Sequence, residues 1–140
     1  MSFPNYKYGT GLRNVGSYQV SGHPYITGSA DLGAADTEHV VSFPYVTKEV
    51  KVIASGSSVI KVHFNPASAG SVLAGNHFIT LDDNNAQGAD NVTLNVKCKE
   101  LYITTVTANA AFQLYASLTN IDPSHMYTLT GSGLTHASNE

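Results

Sequence analysis

The sequence predicts an all-β protein: an antiparallel β-sandwich (jelly-roll or Ig-like) or a barrel, with an extended N-terminal arm. Three observations carry this prediction. From Glu38 onward apolar side chains recur at every second position, the period of a strand with one face in a core. Clusters of Gly, Asn, Asp, Pro and Ser interrupt these runs about every 8–12 residues, the rhythm of short antiparallel strands. No stretch repeats apolar residues with the 3.6-residue helical period.

The strands follow in order. His39, Val41, Phe43 and Tyr45 share one face, and Val50, Val52 and Ala54 alternate with Glu49 and Lys51. Ile60, Val62 and Phe64 alternate with Lys61 and His63, and Ile79 and Leu81 follow. Val92, Leu94, Val96 and Cys98 oppose Thr93, Asn95, Lys97 and Lys99. Leu101, Ile103 and Thr105 form the next inward set, and Phe112, Leu114, Ala116 and Leu118 the last. Turn residues separate them at Ser55-Gly56-Ser57, Asn65-Pro66, Gly75-Asn76, Asp82-Asp83-Asn84-Asn85 and Thr107-Ala108-Asn109. A single helical turn is expected over Asp122-Pro123-Ser124-His125-Met126, with Asp122 as cap and Pro123 in the first position.

Residues 1–37 differ from this pattern. Glycines (Gly9, Gly11, Gly16, Gly22, Gly28, Gly33) and tyrosines (Tyr6, Tyr8, Tyr18, Tyr25) are frequent, while long aliphatic residues never build a period. Such a segment cannot bury enough area to offset its own ordering entropy, yet a Gly/Ser linker does not carry repeated tyrosines. An arm that orders by lying on another surface satisfies both facts, and a neighbouring subunit is the preferred surface. The expected organisation is an arm over 1–37, a β-sandwich over 38–130 and a loose tail over 131–140.

Composition narrows the function. Charged residues are 12% of the chain and the net charge is −3, so the surface is neutral and rich in hydroxyls and amides. Lys and Arg are few and unclustered, which argues against nucleic-acid binding. The N-terminus lacks the basic and apolar regions of a signal peptide, and no apolar run is long enough to span a bilayer, so no membrane association is expected. The lone Cys98 excludes an internal disulfide and sits where a buried small hydrophobe belongs. Synthesis and solubility in a reducing cytoplasm are expected.

Candidate chemistry is thin. Gly131-Ser132-Gly133 lacks the spacing of a nucleophile elbow, and Gly9-Thr10-Gly11 is not the start of a phosphate-binding loop. Of the six histidines, His39, His63 and His77 could converge from separate strands, but no H-x-H or H-E-x-x-H pair occurs, so they are expected to be solvent-facing. Asp82, Asp83, Asn84, Asn85 and Asp90 lack the alternating order of a calcium loop and match the needs of a turn. Asn91-Val92-Thr93 matches a glycosylation sequon inside a strand. No catalytic residue, cofactor or metal is expected, and the chain is read as non-enzymatic. What remains is Tyr45, Tyr102, Tyr115 and Tyr127 among many Asn, Ser and Thr, a composition found at protein–protein interfaces and on carbohydrate-binding modules.

The strings Tyr6-Lys7-Tyr8-Gly9-Thr10-Gly11-Leu12-Arg13-Asn14-Val15-Gly16-Ser17-Tyr18-Gln19-Val20-Ser21-Gly22 and Pro24-Tyr25-Ile26-Thr27-Gly28 resemble the start of small virion structural proteins of marine tailed phages, cyanophage-like myoviruses especially. Val41-Ser42-Phe43-Pro44-Tyr45-Val46-Thr47-Lys48 and Met126-Tyr127-Thr128-Leu129-Thr130-Gly131-Ser132-Gly133-Leu134-Thr135 resemble the same group. The resemblance implies a capsid decoration (cement) protein on the virion surface, β-rich and often trimeric. It would bind the major capsid protein and add contact area across capsomer boundaries. Tyr6, Tyr8, Leu12, Tyr18, Tyr25 and Ile26 would be interface anchors, and Arg13 a charged contact. A tail, neck or fibre component and a host-surface glycan-binding module are the alternatives.

Overall fold

The computed structural model describes residues 22–67, 72–83 and 90–126. Eight strands run β1 (His23–Ser29), β2 (Glu38–Ser42), β3 (Thr47–Ser55), β4 (Val59–His63), β5 (Ile79–Asp82), β6 (Asn91–Leu94), β7 (Glu100–Thr105) and β8 (Ala111–Leu118). They form two four-stranded antiparallel sheets, β1-β8-β3-β6 and β2-β7-β4-β5. The antiparallel pairs β1·β8, β2·β7, β3·β6 and β4·β5 are the rungs of one long hairpin. Rolling that hairpin brings β8 onto β3 and β7 onto β4. This is the jelly roll, and of the architectures expected it is the one adopted.

The alternation read from the sequence becomes the core. Val50, Val52, Ala54, Leu114, Ala116 and Leu118 face inward from one sheet, and Ile60, Val62, Leu81, Leu101 and Ile103 from the other, all essentially excluded from solvent. The β3–β4 corner uses two successive left-handed residues, Gly56 (φ 66°) and Ser57 (φ 61°). Ser57 is held there by donating its N–H to Asp83 Oδ2 at 2.7 Å. The loop between β1 and β2 is tied down by one buried hydroxyl. Thr105 Oγ1 donates to the Ala34 carbonyl (2.9 Å) and accepts the Thr37 N–H (3.0 Å).

A satellite core of Val46, Ile121 and Met126 lies beyond the end of β8. Thr119 links it to the sandwich: its N–H and hydroxyl both donate to the Val46 carbonyl. The expected helical turn is present as a 3-10 turn, Pro123–His125, capped by Asp122, whose carboxylate accepts the Ser124 N–H at 2.9 Å. That hydrogen bond holds the Asp122 carboxyl below its usual range.

Three expectations need correction. The sandwich does not begin at residue 38: β1 occupies residues expected to be arm and pairs with β8 from His23↔Leu118 to Ser29↔Phe112. The alternation through Val96 and Cys98 does not make a longer strand, because β6 ends at Leu94, opposite Val50, just before the bulge between Thr47 and Glu49. Nor are the strand histidines all solvent-facing, since His63 is 1% exposed. Residues 127–140, which hold Tyr127 and the expected tail, lie outside the described residues.

Candidate functional site

The two sheets differ on their outward faces. At the centre of the outward side of β2-β7-β4-β5, His63 and Thr104 are covered by the chain that follows β4, whereas Val40 on the edge strand β2 is 52% exposed. Asn65 supplies its backbone carbonyl to His63 Nδ1 (2.6 Å), and the Ala67 N–H reaches across β7 to the Glu38 carboxylate on β2. The Phe78 ring lies 4.6 Å from the Lys61 ammonium, a cation–π contact. Beneath this cover Thr104 is only 5% exposed.

His63 and Thr104 form the one buried imidazole–hydroxyl pair among the described residues, with Nε2 2.8 Å from Oγ1. Because the Asn65 carbonyl only accepts, Nδ1 must donate to it, and in that tautomer Nε2 accepts the Thr104 proton. The spacing is that of a nucleophile and its base. No substrate can reach an oxygen so covered, so the pair serves as a clasp holding the cover to the sheet. Tyr102 stacks on His63 (5.9 Å between centroids, 8° between planes) and donates to Glu100 at 2.8 Å. Partial burial, that hydrogen bond and the Glu100 and Glu38 charges push the Tyr102 phenol up to about 12.

The outward face of β1-β8-β3-β6 is open. Across it one register row runs Ile26–Tyr115–Lys51–Thr93 and the next runs Gly28–Gln113–Ile53–Asn91. Pro24, Ser117 and Glu49 make the row on the other side. Ile26 is 77% exposed and Tyr115 38%. In the register rows of this face only Glu49 and Lys51 carry charge, with Lys48 at the bulge beside Glu49. Low charge with Tyr115 on an inner strand and Ile26 on the edge strand β1 matches the composition of an interface. At Gly28 the strands come so close that an added Cβ would lie 2.6 Å from the Phe112 carbonyl oxygen.

The expected interface anchors divide accordingly. Ile26 sits on the open face. Tyr25 does not: it is half-buried, packed on the core edge-to-face against Phe43 (5.6 Å, 80°). As the neighbour of Ile26 in a strand, it must point to the opposite side. Tyr6, Tyr8, Leu12, Arg13 and Tyr18 lie outside the described residues. Of the surface tyrosines, Tyr45 stands at the end of the sandwich with its ring 5.3 Å from His23.

The other chemical candidates disperse. His77 is exposed, His63 is enclosed on the outward side of β4, and His39 lies on the inward side of β2 with a buried Nε2 that has no hydrogen-bond partner. No group of three metal-ligating side chains occurs among the described residues. Asp83 and Asp90 serve local turns, accepting from the Ser57 backbone and the Asn91 side chain. Cys98 is buried as expected, and burial pushes its thiol up to about 11. The Thr47 hydroxyl donates to the Val96 carbonyl (2.8 Å), so Sγ–H is the donor in the 3.3 Å contact to Thr47. No described helix is long and apolar enough to cross a membrane.

Comparison with known proteins adds no relative: no family model, no curated protein and no solved structure matches the chain.

Proposed function

We propose that the protein is a non-enzymatic phage virion structural protein, a capsid decoration protein that docks on the major capsid protein and straps neighbouring subunits. The observation that carries this reading is the placement of β1. It is the edge strand of its sheet, so the segment before Gly22 joins the sandwich at an open side of the molecule. That segment holds Tyr6, Tyr8, Leu12, Arg13 and Tyr18, and 21 residues have a contour of at most about 70 Å, enough to reach a neighbouring subunit. The jelly roll supports the reading, since viral shell domains use it, although lectins and cupins do as well. The string resemblance to virion proteins points the same way.

The mechanism is mass action. A protein that binds only the assembled shell stabilises it by RT ln(1 + [L]/Kd), about 2.7 kcal/mol at a free concentration of 100 Kd. The test is co-sedimentation with shells of the parent phage. Because β1 belongs to the sandwich, the deletion must stop at residue 21. The shortened chain is expected to keep its β-sheet circular dichroism and lose shell binding. Undiminished co-sedimentation would refute the strap.

A further inference from the structure

We propose that the open face of β1-β8-β3-β6 is a twofold interface between two copies of this chain. The inference is independent of shell binding and rests on the self-complementarity of the face. A twofold axis parallel to the sheet, midway between two copies and over the row Tyr25–Ala116–Val50, exchanges the rows on either side of it. Ile26 of one copy then lies over Pro24 of the partner subunit, and Lys51 over Glu49 of the partner subunit. The same contacts repeat across the axis, as an isologous interface requires. Glu49 and Lys51 thereby form two ion pairs across the axis, and the exposed Ile26 and Tyr115 are covered. Packing two such sheets nearly aligned is a standard arrangement for twisted sheets.

The size is adequate for a reversible dimer. Four strands about 4.8 Å apart and seven residues of about 3.3 Å give a plate of roughly 19 by 23 Å, about 440 Å² per copy, below the standard interface size and in the range of weak, transient association.

Light scattering coupled to gel filtration tests this on the full chain. At about 100 μM, in the range where small interfaces form, the wild type is expected at twice the chain mass of 14.8 kDa. Lys51→Glu and Glu49→Lys each place like charges opposite one another and should weaken the dimer at least about tenfold. An equimolar mixture of these two variants restores both ion pairs and should run as a dimer, as should the doubly exchanged chain. Ile26→Ser, at an open position that the fold does not need, should weaken association without any charge change. A monomeric wild type, a three-subunit mass, or a dimer that survives both single charge reversals overturns the proposal.

Discussion

The outward sides of the two sheets obey the same alternation, and their inner strands end in opposite states, although Val40 on edge strand β2 stands exposed like Ile26. On β2-β7-β4-β5 the outward His63 and Thr104 are sealed by the chain's own segment. On β1-β8-β3-β6 the outward Ile26 stands in the open. Alternation decides which residues leave the core, but not what they meet outside it. Polar residues came to be enclosed because they found partners there, and enclosure without partners would cost about 1–3 kcal/mol per group. The face left open is the one with little charge to solvate.

Substitutions on the two sides should therefore differ sharply. The largest effect is expected for His63→Leu, which orphans the Asn65 carbonyl and the Thr104 hydroxyl and should destabilise by about 2–4 kcal/mol. Ile26→Ala on the open side should stay within about 0.5 kcal/mol in the monomer. Urea denaturation of both variants measures the contrast, and equal losses would erase the distinction between covered and open faces. Next comes Gly28→Ala, which forces β1 away from the Phe112 carbonyl and should cost about 1–3 kcal/mol. Its thermal midpoint should fall well below that of Ile26→Ala, two residues earlier in the same strand.

His39 sharpens the comparison from inside. Unlike His63 it has a buried nitrogen without a partner, so His39→Leu should leave stability unchanged or raise it by about 1 kcal/mol. Chemical denaturation of this variant beside His63→Leu gives opposite signs for two histidines of one sheet. The smallest effect is pH-dependent and belongs to Tyr102. Its phenol ionises at about 12 in the folded chain against an ordinary value of 10.0. The unfolded chain therefore releases that proton first, and stability is lost as pH rises from about 10 to 12. Tyr102→Phe should flatten the fall of the unfolding midpoint across that window, and an unchanged slope would show that the Glu100 contact contributes nothing.

Most inward positions were legible because a strand against a core writes its period into the chain: Val50-x-Val52-x-Ala54 and Phe112-x-Leu114-x-Ala116-x-Leu118 need no further information. The capped turn at Asp122 was legible for the same local reason. β1 was not. Its inward residues are Tyr25, Thr27 and Ser29, and Pro24 and Gly28 lower its strand propensity, so its order comes from pairing with a strand some ninety residues away. The enclosure of His63 was equally hidden, since the cover arises from a loop without a strong apolar pattern. Of the two expected anchors in β1, Ile26 stands 77% exposed. Its neighbour Tyr25 was assigned the same role from composition, which does not register that adjacent strand residues face opposite ways.

The place of β8 has a consequence for biosynthesis. It is the last of the described strands to be made, yet it lies between β1 and β3, so neither can complete its ladder until Leu118 has left the ribosome. With synthesis at about 5–20 residues per second, the earlier strands wait several seconds with unpaired edges and bare apolar faces. The sandwich can then close only after β8 has emerged, and nascent chains truncated before Ala111 should be the form most prone to aggregate and most dependent on chaperones.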